Sequence, residues 1–101
     1  MSLHFAFIFV TKDADSSSHR GVVETPSVKC TIVAVRDYAE AEEISKKLVA
    51  EGVQAIELCG GFGHSGTARV AAAVAGKAHV GSIRFDTHPA MNCESPDAQF
   101  S

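Results

Sequence analysis

The chain has 101 residues and a mass of 10.6 kDa, which fits one domain and leaves no room for a second. Hydrophobic residues make up 46% and charged residues 21%, a balance that excludes a disordered chain, a coiled coil and a collagen. The net charge of −3 argues against nucleic acid and against membranes as partners. The three cysteines form no CxxC pair, and no secretion signal is visible, so we expect a cytoplasmic protein without disulfides.

Four strands are predicted, at residues 5–10, 30–35, 53–58 and 79–85. Each is a short run rich in β-branched, aromatic or other apolar residues. The first is apolar on both faces, which is typical of an interior strand covered from both sides. Residues 11–27 are polar, so they are predicted to form a long loop.

Two helices are predicted between these strands. The first follows Asp37, which stands three residues before Glu40 in the pattern of an N-cap with a reciprocal side chain, and it ends before Gly52. The second begins at Ser65 or Thr67 and runs to about residue 75. The element order β-β-α-β-α-β predicts an α/β fold with a mostly parallel four-stranded sheet. We expect a single domain whose tail, from about residue 90, is loosely attached.

The second helix is apolar on nearly all sides, since Arg69 is its only charged residue. A helix of this kind is normally covered all round, which a monomer of this size cannot achieve. We therefore expect a homo-oligomer, most simply a dimer, that assembles through this helix. The alternative is that alanine, a strong helix former, is tolerated in contact with water.

A glycine-rich loop lies between the third strand and the second helix. Its backbone can approach a ligand closely, and the helix that follows offers unpaired N–H groups and the positive end of its dipole. Parallel sheets also bind ligands beyond the carboxyl ends of their strands. We expect a small phosphate- or carboxylate-bearing molecule here, bound by a set of loop residues: Gly60, Gly61, Gly63, Ser65, Gly66 and Thr67. The alternative is a tight turn without a ligand.

The same glycines also read as GxGxxG, and Asp86 follows 20 residues later, as in a dinucleotide-binding fingerprint. The complete cofactor site needs two mononucleotide-binding halves, and the predicted strands are too few for both. No cofactor is required by the sequence.

Glu57 and Arg84 are the charged exceptions in two apolar strands. If the strands are parallel neighbours, the two side chains lie at equivalent heights near the ligand-binding end, with the carboxylate orienting the guanidinium. A structural ion pair is an equally good interpretation. Cys59, at the start of the glycine-rich loop, is either a further contact to the ligand or a buried, inert thiol.

Three further residues, His64, Asp86 and His88, could act as general acids or bases at this end of the sheet. In that case the protein is a small isomerase- or lyase-type enzyme and not only a binding module. Their spacing, together with the cysteines, is not that of a specific metal site, and no metal is predicted.

Several segments form a recognisable set: FAFIFV, ADSSSHR, VVETP, IELCGGFGHSG and VGSIRFDTHP. With them the chain resembles a family of small, uncharacterised prokaryotic proteins of about 100 residues, a domain of unknown function. The CGGFG-type glycine loop and the RFDxHP segment are the most specific parts of the likeness. The resemblance implies a complete protein in which these two segments belong to one pattern, and it implies no activity and no catalytic residue.

Overall fold

The structure, a computed structural model, describes residues 3–85, 88–90 and 92–101. In this part of the chain, two helices pack on one face of a five-stranded sheet, and a third, short helix lies near the C-terminus. The strands are β1 (Leu3–Val10), β2 (Arg20–Glu24), β3 (Val28–Val35), β4 (Ala55–Leu58) and β5 (His79–Ser82); the helices are α1 (Tyr38–Ala50), α2 (His64–Val74) and α3 (Pro96–Phe100).

The strand order is β2-β3-β1-β4-β5, with β3, β1, β4 and β5 parallel and β2 antiparallel to β3. The α/β class and the mostly parallel sheet are confirmed. The count of four strands was wrong, because β2 lies inside the segment expected to be a loop. All five residues of β2 are exposed. This edge strand therefore lacks the apolar pattern that would have revealed it.

β1 is an interior strand as predicted, since it pairs with β3 on one side and β4 on the other. Only one of its two apolar faces is covered by helices, however. Ala6 and Ile8 are fully buried in the core, whereas Phe5 and Phe7 are partly exposed and Phe9 is exposed.

The topology explains the uncovered face. Right-handed crossovers from β3 to β4 and from β4 to β5 cross the sheet in the same direction, which places α1 and α2 on the same side. The connection from β1 to β3 runs in the opposite direction and would place a helix on the other face. In this protein that connection is the strand β2. The second face of the sheet therefore has no helical layer in the described structure.

Several predicted boundaries differ from the observed ones. β3 starts two residues earlier than expected, β4 starts two later, and β5 ends at Ser82 instead of continuing to residue 85. The second helix begins at His64, slightly before the predicted start, and ends with Ala75 in the left-handed conformation. β5 is an edge strand with a bonded neighbour on one side only, and the chain leaves the sheet after it.

The C-terminal segment, expected to be loosely attached, is anchored at two points. Phe100 is buried and its ring centroid lies 6.4 Å from that of Tyr38. The Asp97 carboxylate accepts hydrogen bonds from the first turn of α2. This segment therefore belongs to the packed structure. None of the helices in the described part of the chain has the length and hydrophobicity needed to cross a membrane.

Candidate functional site

A cleft of about 780 Å³ lies beside the carboxyl end of β5. One wall is the start of α2, a second is the chain that follows β5, and a third is the C-terminal segment. Six of its lining residues were predicted as site residues: Gly60, Gly63, His64, Thr67, Arg84 and His88. The sequence therefore located much of the cleft through residues that are distant in the chain.

The remaining predicted residues lie elsewhere. Among the described residues, five predicted ligand contacts are outside the cleft lining: Glu57, Cys59, Gly61, Ser65 and Gly66. Asp86 lies outside the described residues. Cys59 packs partly against the core, and its Sγ accepts a hydrogen bond from the Gly61 backbone at 3.2 Å.

The expected juxtaposition of Glu57 and Arg84 was wrong. In the β4–β5 register Glu57 is opposite Gly81, three residues before Arg84 in the chain. Glu57 shares the uncovered face of the sheet with Phe7, its register partner on β1. Arg84 follows the end of β5 and lines the cleft. The error lies in the register between β4 and β5, which pairs Ala55 with His79 and therefore places Arg84 beyond the level of Glu57.

The start of α2 binds a carboxylate from the protein itself. The backbone N–H groups of Ser65 and Gly66 donate hydrogen bonds to Asp97, at 2.9 Å and 3.2 Å. Gly63, the N-cap, makes no side-chain cap of its own. Asp97 therefore caps α2 from a distance, at the place where the sequence predicted an external anion.

Tyr38 connects this carboxylate to the glycine-rich loop. Its hydroxyl lies 2.9 Å from Asp97 Oδ1 and 3.2 Å from the Gly61 carbonyl oxygen, and it accepts a hydrogen bond from the Gly63 N–H at 3.2 Å. The side chain is fully buried, and its ring stacks on Phe62 at 5.2 Å. Burial raises the pKa of Tyr38 to about 12, so the hydroxyl stays protonated and can donate.

Close packing accounts for three glycines of the loop. A Cβ added to Gly66 would lie 2.5 Å from Cζ of Tyr38, and one added to Gly63 would lie 2.7 Å from Cγ of Asp97. A Cβ on Gly60 would lie 2.6 Å from the Phe85 ring. These positions favour glycine because neighbouring side chains occupy the space, which agrees with the ligand-free interpretation of the loop.

We expect the docking of Asp97 to be sensitive to acid. Burial raises the pKa of this carboxyl, but the hydrogen bonds from Ser65, Tyr38 and Gly66 outweigh that effect, and the net pKa is below the ordinary 3.8. A carboxylate with a lowered pKa stabilises the fold above its unfolded pKa, and this contribution is lost as the pH falls through the folded pKa. The contribution of Asp97 should therefore be complete above pH 4 or so and decline below it.

The measurement is urea unfolding of the wild type and of Asp97→Asn at about pH 6 and about pH 2.5. Tyr38, the only tyrosine in a chain without tryptophan, supplies the fluorescence signal. The stability difference between the two proteins should shrink at the lower pH. A difference that stays constant would contradict the assignment.

Near the exit of β5, His88 lies against Phe85 with the ring centroids 4.6 Å apart in an edge-on arrangement. Its Nδ1 accepts a hydrogen bond from the Ala90 N–H at 3.1 Å. Because Nδ1 is occupied by this bond, Nε2 is the ring nitrogen left to contact a molecule in the cleft. The bond to Ala90 thus orients His88 at the edge of the cleft.

The sequence reasoning missed Asp97 and Tyr38, the two residues that hold the site together. The sequence does contain a signal for the helix that carries Asp97. In Ser95-Pro96-Asp97, a helix-capping residue is followed by proline at the first helical position. The structure shows Ser95 as the N-cap of α3, with its side chain accepting from the Asp97 N–H. No group of three metal-ligating side chains is close enough to hold a metal among the residues described.

Comparison with known proteins gives a match to a family model and none to an individual protein. No curated protein and no solved structure matches this chain. One family model covers residues 3–98, which include the glycine-rich loop, the walls of the cleft and Asp97. The chain therefore belongs to the family of unknown function DUF6506.

Proposed function

We propose that this protein binds a small molecule carrying a phosphate or carboxylate group in the cleft beside β5. The observation that carries the proposal is the convergence of three nitrogen-bearing side chains on one cleft. His64 comes from the start of α2, Arg84 from the exit of β5, and His88 from the chain that follows it. Arginine and protonated or donor histidine are the side chains that recognise such anions.

The remaining lining fits an organic ligand with an apolar part. Phe85 and Ile83 are exposed apolar side chains beside Arg84, and the hydroxyls of Thr67 and Ser82 add hydrogen-bonding groups. A volume of about 780 Å³ lies within the range of small-molecule sites. The position also supports the proposal, because open parallel sheets bind ligands beyond the carboxyl ends of their strands.

Asp97 restricts how the anion is held. Its carboxylate already accepts from the backbone of Ser65 and Gly66. A ligand anion at those N–H groups would meet a like charge, so we place the anionic group on the other side of the cleft, near Arg84 and His88. The apolar part of the ligand then lies along the methyl groups of Ala68 and Ala71 on α2.

The test is a thermal-shift screen of phosphates, nucleotides and small carboxylates. A ligand present at 100 times its dissociation constant stabilises the fold by about 2.7 kcal/mol, which corresponds to a rise of about 10 °C or more in Tm for a domain of this size. Arg84→Gln should reduce or abolish the shift caused by the best compound. Arg20→Gln is the matched control, since Arg20 lies on β2 at the opposite edge of the sheet.

Two results would refute the proposal. The first is a screen in which no compound stabilises the wild type at millimolar concentration. The second is an Arg84→Gln variant that responds to the best compound as strongly as Arg20→Gln does.

Acid–base catalysis in the same cleft is the second candidate function, favoured by the two imidazole side chains that line it. His64 and His88 line the cleft, and Asp86 completes the predicted set. The two candidates differ in the effect of His64→Ala and His88→Ala, each measured with a ligand found in the screen. A binding protein keeps most of its affinity in these variants, whereas an enzyme loses turnover while binding persists.

A further inference from the structure

The face of the sheet that α1 and α2 leave uncovered is rich in large apolar side chains. We call it the open face. It consists of the alternate residues of each strand whose side chains lie on the side of the sheet opposite α1 and α2. On β1 it carries Phe5, Phe7 and Phe9, and on β3 it carries the half-buried Cys30 and Ile32, which are the register partners of Phe5 and Phe7. On β2 the register adds Val23, which is 59% exposed. Contiguous apolar surface of this kind on a small protein marks an interaction site.

The open face carries few charged or titratable groups among the described strands. Glu57 on β4 is its only carboxylate, and His79 on β5 is its only imidazole. Burial, and then the Glu57 charge, raise the pKa of the Cys30 thiol, which agrees with a shared face. The strand residues of this face include no lysine or arginine, so its chemistry does not fit an anionic membrane or a nucleic acid.

We propose that the open face is the interface of a homodimer, in which two sheets pack face to face about a two-fold axis. An axis that crosses the strands near the middle of β1 stacks the Phe5–Phe7 region of one protomer on that of the other. The same rotation reverses the strand direction and brings Glu57 of each protomer toward His79 of its partner. The single acid and the single imidazole of the face then complement each other twice.

The size of the face is near the lower limit for such a dimer. Five strands at about 4.8 Å spacing and about 3.3 Å per residue give a footprint of roughly 450 Å². Protruding phenylalanine side chains make the accessible area larger than this footprint, so it approaches the roughly 600 Å² per partner at the lower end of stable interfaces. Face-to-face sheet packing at about 10 Å is the usual way to cover an apolar sheet surface.

This assignment differs from the α2 interface expected from the sequence. The exposed side of α2 carries Ala71 and Ala72, whose single methyl groups offer little apolar area. The opposite side of α2 packs within the protomer through Val70 and Val74. The open face instead presents phenylalanine and isoleucine, which bury several times more apolar area per residue.

The test is light scattering after size exclusion at about 50 µM protein. We expect a mass of about twice the 10.6 kDa of the chain. Phe7→Glu places a charge at the centre of the open face and should yield monomers, whereas Ala72→Glu on α2 should leave the dimer intact. A monomeric wild type, or a dimer that Ala72→Glu dissociates and Phe7→Glu does not, would overturn the proposal.

A second measurement does not depend on a folded Phe7→Glu variant. Alkylation of Cys30 and of the exposed Cys93 is followed in the wild type by mass spectrometry as the protein is diluted. Labelling of Cys30 should become faster on dilution while that of Cys93 stays constant. A Cys30 rate that does not change between dimeric and dilute samples would place the interface elsewhere.

The two-fold arrangement has its own test. Glu57→Lys should weaken the dimer, because it removes the acid that faces His79 of the partner. Combining it with His79→Glu restores opposite charges and should recover most of the lost affinity. If the double variant dimerises no better than Glu57→Lys alone, the proposed axis is wrong.

Discussion

Asp97→Ala should lower the free energy of unfolding by about 2–4 kcal/mol, a large effect for a partly exposed residue near the end of the chain. The substitution removes the acceptor for the N–H groups of Ser65 and Gly66 at the start of α2. It also removes one partner of the buried Tyr38 hydroxyl. Hydrogen bonds to a charged group are among the stronger ones, and the groups left behind are partly shielded from water.

The measurement is urea unfolding at neutral pH, with Glu94→Ala as the matched control. Glu94 is an exposed acid in the same C-terminal segment, so its removal changes the charge of the segment without removing the cap. We expect Glu94→Ala to stay within about 0.5 kcal/mol of the wild type. An Asp97→Ala variant as stable as Glu94→Ala would show that the carboxylate does not hold the segment in place.

Local sequence patterns predicted the elements that they control directly. The first helix begins as expected, with Asp37 Oδ1 accepting from the Glu40 N–H at 2.9 Å. The reciprocal bond differs from the expected one, because Glu40 Oε1 accepts from the backbone N–H of Arg36, one residue before the N-cap, at 2.8 Å. Such contacts span three or four residues, so a pattern of three or four residues contains the information needed to predict them.

The strand β2 illustrates where local patterns fail. It pairs with β3 across a tight turn in which the Thr25 N–H donates to the Val28 carbonyl at 2.8 Å. Its residues stay exposed at the sheet edge, and neither a buried face nor a long apolar run marks it. Pro26 stands at the second position of this turn, which is the position that proline prefers. The pairing depends on β3 and not on the composition of β2.

The anion site illustrates the same limit at longer range. The sequence predicted an external anion at the glycines and the start of α2, where the structure has a carboxylate of the protein itself. The carboxylate itself comes from Asp97, 32 residues after Ser65 and 59 residues after Tyr38. No periodicity connects positions so far apart, so the sequence could identify the N–H donors at the start of α2 without identifying the acid that accepts from them.

Gly66→Ala should destabilise the protein by about 2 kcal/mol, although the substitution is favourable by helix propensity alone. Alanine in a helix is about 1 kcal/mol better than glycine. The added Cβ, however, would lie 2.5 Å from Cζ of Tyr38. That ring is fully buried and stacked on Phe62. It has little room to move, and we expect an overpacking cost near the upper end of the usual range, about 3 kcal/mol.

Gly21→Ala is the matched control for this substitution, since a Cβ at Gly21 meets nothing within 4 Å and the residue lies on the exposed strand β2. The free energy of unfolding of Gly21→Ala should differ from that of the wild type by no more than about 0.5 kcal/mol.

The cause of the Gly66 effect is tested in a double-mutant cycle with Tyr38→Leu, which removes the ring from beneath the helix. If the clash is responsible, Gly66→Ala costs at least about 1 kcal/mol less in the Tyr38→Leu background than in the wild type. Strictly additive effects would instead mean that the glycine is required for a reason other than the tyrosine.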